Sequence, residues 1–532
     1  MNLEKALSIL SKSSPYAVST EREQNQDLLA EYKRYIYIKT DIEADFKKAL
    51  LSAKPNQIIF LCGSSGDGKS EILTQYSQKY KATRDFHLDA THSFNPSQTA
   101  IQALDVRFSE FKQSDKPLVV GINVGMLGNY AEEGAEEHDD IKKVVRDFLS
   151  RKRLAVPQEY VFLDFEDYPK FKFDAEGSVS DFAERFLKKL TAQTLENPFY
   201  ALYDKELKSL GYTQLTANFA LLSRPAVQQS LIGLLLKARL IKDQFLTARA
   251  LLDFIFQLLA ADGYLFDNLF AGSDNELLSR IQSFDPSNLH TRTVDEFVLQ
   301  HGLGIEHEEF ADFKVKINSL GVFEITEATS FLRLFYVLSG DDELCNKFVS
   351  NIQHEFTNNL VEAYAFSWTL HRDFDGSGKM RKALSSFYKE TLIAALHRYC
   401  NRHAPILDKD EYLVSVLNGY KTAVSLEVKP DFSAIQNNVL AKIGTFNAYL
   451  KVDEQSIKPM PISVKLLELL VKIGQGYRPN KHDKNAVLLL DEALEQMLAV
   501  ANQKDTLFIL KGDKRYKVVK EESDYFEVSG MH

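Results

Sequence analysis

Along the first part of the chain, apolar positions gather in short solid runs. Four stand out: 57–62, 86–91, 117–123 and 160–166. Runs of this length, bounded by polar or glycine-rich stretches, predict strands buried on both faces, as in a parallel sheet. Helical patterns separate them, such as the one through Ile101, Leu104 and Phe108. Strand and helix therefore alternate from 51 to 195, the order of a three-layer α/β domain with helical crossovers. Residues 1–50 read as helix, with Leu28, Leu29, Tyr32 and Ile36 at helical spacing. After 196 the alternation gives way to long helical patterns. Leu231, Leu234, Leu235 and Ala238, then Leu246, Leu251, Leu252, Ile255 and Leu258, mark two apolar helix faces. Residues 196–300 are expected to form a helical, lid-like domain and 301–505 a second, mostly helical one. The tail, 506–532, reads as a small β-meander through Leu507–Leu510, Tyr516–Val519 and Tyr525–Val528.

The first apolar run ends abruptly in Gly63-Ser64-Ser65-Gly66-Asp67-Gly68-Lys69-Ser70-Glu71. This is the full Gly-x-x-x-x-Gly-Lys-Ser spacing of a phosphate-binding P-loop, set between a strand and a helix as that motif requires. The glycines let the backbone curl so that successive N–H groups point inward, and the helix N-terminus behind them adds partial positive charge. Lys69 is then the expected partner of the β- and γ-phosphates, and the Ser70 hydroxyl the expected Mg²⁺ ligand. The stretch predicts an ATP-binding α/β P-loop NTPase core of the AAA+/ASCE-like kind, with Mg²⁺ as cofactor.

An ATPase of this kind also needs an acid to hold Mg²⁺ and the attacking water. No apolar run ends in Asp-Glu. Asp89 ends the second strand, Asp164 and Glu166 lie at the end of the fourth run, and both placements stay open. The third run ends in Asn123, the residue type that orients water as a γ-phosphate sensor in AAA+ proteins. Arg249 falls near a helix start in the lid-like region. From there it can reach the nucleotide within the chain, or from a neighbouring copy in a homo-oligomer as an arginine finger.

Composition narrows the class. Over 532 residues the chain is 45% hydrophobic and 26% charged, ordinary for a globular protein of several domains. No run approaches the roughly 20 apolar residues of a membrane span, and the N-terminus lacks a signal-peptide pattern. Cys62, Cys345 and Cys400 are too few for a disulfide framework, so a reducing cytoplasm is expected. A net charge of −10 argues against free-standing, indiscriminate DNA binding. The Arg146, Arg151, Lys152, Arg153 cluster is the counterweight. Asp373-Phe374-Asp375-Gly376-Ser377-Gly378 is similar to a calcium loop, but Lys382 stands where its glutamate belongs. His397, Cys400 and His403 share a helix without a fourth ligand and read as ordinary helix residues.

Several stretches together resemble the ATPase component of phosphorothioation-dependent DNA restriction systems, the DptF family. They are the Cys62–Glu71 loop, Asp89-Ala90-Thr91-His92-Ser93-Phe94, Gly121-Ile122-Asn123-Val124-Gly125-Met126-Leu127, Phe284-Asp285-Pro286, and Gly476 through Lys484. The resemblance implies an ATP-hydrolysing subunit of a bacterial defence complex. Such a subunit acts with partner subunits on DNA that lacks the phosphorothioate mark, and meets DNA through the complex. No nuclease-like cluster is visible, so cleavage would belong to a partner. The alternative is a regulatory AAA+/STAND ATPase acting on protein partners.

Overall fold

The computed structural model describes all residues except 15–27, 91–97, 151–156, 175–176, 195, 358, 438–442, 503, 513, 522–524 and 532. The chain is mixed α/β and divides into two compact units. One comprises Met1–Phe171 with Ser180–Thr357, the other Lys172–Val179 with Asn358–His532. The boundary expected at 300/301 therefore falls inside the first unit, whose helices continue to Lys347–Glu355.

In the first unit, β1 (Ile58–Cys62), β2 (Asp85–His87), β3 (Leu118–Ile122) and β4 (Tyr160–Asp164) form one parallel sheet in the order β2-β3-β1-β4. β1 and β3 are central and buried throughout, which is why they read as unbroken apolar runs. Alternate β1 residues face opposite ways. Ile58, Phe60 and Cys62 pack in a core with Leu104, Phe108, Tyr130 and Val145, whereas Ile59 and Leu61 pack with Phe46, Leu50, Ile72 and Leu73. Helices thus cover both faces of the sheet, the expected three layers.

Register decides what lies at the sheet's carboxyl edge. Cys62 is level with Ile122 on one side and Asp164 on the other. The chain after β2 continues alongside β3, where Ala90 N–H donates to the Gly121 carbonyl at 2.9 Å. Gly121 permits this approach: a Cβ there would lie 2.3 Å from Leu73 Cδ1 and 2.6 Å from the Leu88 carbonyl oxygen. Gly121→Ala is expected to cost about 1–3 kcal/mol through overpacking. Urea unfolding measures this, and an unchanged midpoint would contradict the close approach.

The second unit departs from the mostly helical expectation. Its helices, including Asn359–Arg372 and Ala394–Cys400, share the unit with several strands between 411 and 462. Glu411–Leu417 and Tyr420–Ser425 form a hairpin, and Thr506–Lys511, Lys514–Lys520 and Phe526–Met531 extend it into a five-stranded antiparallel sheet. The hairpin turns at Asn418-Gly419, both at positive φ (51° and 79°), the pair that type I′ turns favour. The expected terminal meander is present, but as part of this larger sheet. His371 is buried, with Nδ1 on the Ser367 carbonyl and Nε2 on the Tyr388 hydroxyl.

Candidate functional site

The site grows from the loop after β1. Gly66 and Gly68 take positive φ (84° and 106°), and Gly68 hands directly into helix Lys69–Tyr80. That backbone path is open to glycine and strained for other residues. Asp67 Oδ2 accepts the Ser64 N–H at 2.7 Å and holds the loop's curl. Among the described residues, the N–H groups of Gly66, Gly68, Lys69 and Ser70 have no protein acceptor. They belong to a loop and helix N-terminus that line a cavity of about 410 Å³. Lys69 Nζ donates back to the Gly63 and Ser64 carbonyls at 2.9 and 2.6 Å. Burial lowers the Lys69 pKa from the ordinary lysine value, with Asp67 and Asp89 opposing it. Burial also raises the carboxyl pKa values of Asp67 and Asp164. Loop N–H groups without a protein acceptor, beside a partly desolvated ammonium, suit an anion.

The same cavity takes in other residues singled out from sequence. Ser70, Glu71, Asp89, Asn123 and Arg249 all line it with the loop residues Ser65 to Lys69. Asp164 and Glu166 do not. Asp164 Oδ1 accepts the Glu166 N–H at 3.0 Å, capping a short turn, and Glu166 is exposed. Asn123 Oδ1 accepts the Met126 N–H at 2.6 Å and so caps helix Val124–Glu133, which fixes the side chain at the cavity wall. Arg249 stands over the loop: its N–H donates to the Gly66 carbonyl at 3.1 Å, and its Cβ would be 3.1 Å from a Cβ at Gly66. Thr247 caps the helix that carries it, Ala248–Ala260. Glu71 pairs with Lys33 at 3.1 Å. In the basic cluster, the Arg146 guanidinium is engaged by the Ala131 carbonyl, and 151–153 lie outside the described residues, as do 91–94 of the resembling stretch.

Sequence reasoning missed the apolar lining. Ile9, Leu10, Ile36, Ile38, Phe186 and Leu252 add apolar surface to the cavity, and Tyr37 joins them. A buried carboxylate holds Tyr37: Glu43 accepts its hydroxyl at 2.8 Å and that of Tyr76 at 3.3 Å. The N-terminal segment is thereby tied to the helix that follows the loop. Lys170 also lines the cavity, its ammonium over the rings of Phe165 (5.3 Å) and Phe182 (4.6 Å), and burial lowers its pKa. These residues come from five separate stretches, and no local spacing links them. A Pro-Lys step after a strand-terminal acid is the only sign that Lys170 offered.

The candidate metal ligands of the second unit have other tasks. His397 Nε2 meets the Asp408 carbonyl, Cys400 Sγ donates to the Leu413 carbonyl, and Asp375 accepts the Ser377 N–H in a turn. Among the described residues no cluster of three or more His, Cys, Asp or Glu could hold a metal ion, and no single helix is long and apolar enough to cross a membrane. All three cysteines are free. No protein family, no curated protein and no solved structure matches the chain.

Proposed function

We propose that the first unit is a P-loop ATPase core that binds a nucleoside triphosphate with Mg²⁺ and hydrolyses it. One observation carries the reading. Loop N–H groups without a protein acceptor and the Lys69 side chain belong to one cavity at the carboxyl edge of a parallel sheet, and apolar residues share its lining. Ligands of open parallel sheets sit at this edge, where the strand order turns back on itself. The cavity volume and its mixed polar and apolar lining suit a ligand with both a phosphate chain and a nucleobase.

The roles follow from placement. The N–H groups of the loop and Lys69 take the β- and γ-phosphates. The Ser70 hydroxyl and the Asp89 carboxylate are hard oxygen donors on the same cavity wall, the set Mg²⁺ prefers. Bound Mg²⁺ would neutralise charge developing on the phosphoryl oxygens. Asp89 is the acid this reading prefers, because it faces the cavity with Lys69 and Asp164 and Glu166 do not. Asn123 offers its remaining amide N–H to the γ-phosphate or the water. Arg249 and Lys170 bring further cations to the same space. The test is phosphate release from MgATP by the purified chain, alone and with its partner subunits. Turnover that requires Mg²⁺ is expected, and none under either condition would contradict the proposal.

The wider role, ATPase subunit of a phosphorothioation-dependent restriction complex, rests on the resemblance in the loop, the Asp89 stretch and the Gly121–Leu127 stretch. Cells that carry the complete gene cluster but lack the DNA mark should suffer DNA damage with the wild-type chain and escape it with Lys69→Ala. Equal damage in both would break the link between ATP and restriction.

A further inference from the structure

A second cavity, of about 630 Å³ and open to solvent, lies between helix Leu28–Ile36 and helix Asp181–Thr191. Arg34, Lys39, Arg185, Lys188 and Lys189 line it, with Tyr37 and Ile38 between them. It has no carboxylate in its wall, although the chain as a whole carries a net charge of −10. Three of its cations lie on one helix at i, i+3 and i+4, spaced as neighbours about 5–6 Å apart. Carboxylates satisfy only part of this charge. Asp181 pairs with Arg185 at 2.9 Å, and Glu184 stands 3.8 Å from Lys188. Arg34, Lys39 and Lys189 have no carboxylate partner among the described residues. Burial lowers the Lys189 pKa from the ordinary lysine value, and the like charge of Lys39 lowers it further.

We propose that this groove binds the phosphodiester backbone of a nucleic acid strand. A wall of five cations, only two of them with a carboxylate nearby, matches a polymer of one charge sign. A protein face presents both signs. Backbone phosphates would supply the missing countercharge and relieve the Lys39–Lys189 repulsion, with binding driven mainly by release of counterions.

The groove and the first cavity share a wall. Tyr37 and Ile38 line both. Two groove cations hold that wall: Lys189 Nζ donates to the Tyr37 carbonyl at 2.9 Å, and Arg185 donates to the Lys39 carbonyl at 2.7 Å. A backbone phosphate that draws on Lys189 or Arg185 pulls on the strap closing the first cavity. Occupancy of the two sites is therefore coupled, and reciprocally so. This coupling rests on the triphosphate reading; the groove does not.

The experiment is fluorescence anisotropy with a short labelled oligonucleotide, single-stranded in one arm and duplex in another, with poly-glutamate as competitor. The test variant is Arg34→Glu/Lys39→Glu/Lys188→Glu, which leaves Arg185 and Lys189 on the strap. The control, Lys47→Glu/Lys48→Glu/Lys54→Glu, makes the same change in net charge at exposed positions outside the groove. The wild type is expected to bind at low salt. The test variant should lose affinity at least about tenfold, with a salt slope flatter by about 2–3 for duplex, while the control changes little. Charge-preserving Arg34→Lys/Lys39→Arg/Lys188→Arg should retain binding, which separates charge loss from misfolding. No binding by the wild type, equal loss in both glutamate variants, or displacement by poly-glutamate as readily as by unlabelled oligonucleotide would overturn the proposal. Repeating the titration with saturating MgATP tests the coupling: a shift in oligonucleotide affinity is expected, and an identical affinity overturns it. A chain that binds no ATP refutes the triphosphate reading, while the nucleotide-free arms still decide the groove.

Discussion

Lys69→Ala is expected to abolish ATP hydrolysis and to weaken MgATP binding, each by on the order of 10²–10³-fold, the scale of losing one preorganised donor to a developing charge. The Lys69 ammonium lies against the loop's own carbonyls, and its desolvation strengthens its field at that point. Lys69 also has a structural task without nucleotide. Its ammonium ties the carbonyls of Gly63 and Ser64 together. The substitution should therefore lower stability by about 1 kcal/mol, visible as a small drop in melting temperature. A folded Lys69→Ala protein with undiminished turnover would refute the role.

The second large effect belongs to the acid. Asp89→Asn should leave MgATP bound yet slow hydrolysis by on the order of 10²–10⁴-fold, because the amide keeps the shape but neither accepts a proton nor balances Mg²⁺. Asp164→Asn and Glu166→Gln are expected to change turnover far less. Asp164 caps a turn, and Glu166 faces solvent. Single-turnover hydrolysis by the three variants side by side measures the ranking. Loss in Asp164→Asn with normal Asp89→Asn would reverse the assignment.

Why the sequence left that choice open is itself physical. β1 and β3 are buried on both faces, so they announce themselves as apolar runs, and the loop's glycines mark the end of β1. β2 is only three residues, and Asp89 lies two residues beyond it, held in place by the Gly121 approach. The apolar run over 86–91 does not mark where so short a strand ends. Arg249 was legible through its helix start, and the structure brings it onto Gly66. The strap at Tyr37 and Ile38, Phe186 and Lys170 became neighbours only through tertiary packing. In the second unit, Asn418-Gly419, set between the apolar and β-branched residues of two strands, was a turn signal that the mostly helical reading of 301–505 passed over. The two- and three-residue strands between 428 and 462 are too short to show a period.

Isothermal titration of the purified chain with ATP, ADP and AMP, each with Mg²⁺, tests the central claim most directly. If the loop's N–H groups and Lys69 hold the β- and γ-phosphates, ATP and ADP should bind far more tightly than AMP, and Lys69→Ala should flatten the series. Equal affinity for AMP and ATP, or no binding of any of the three, would contradict the account.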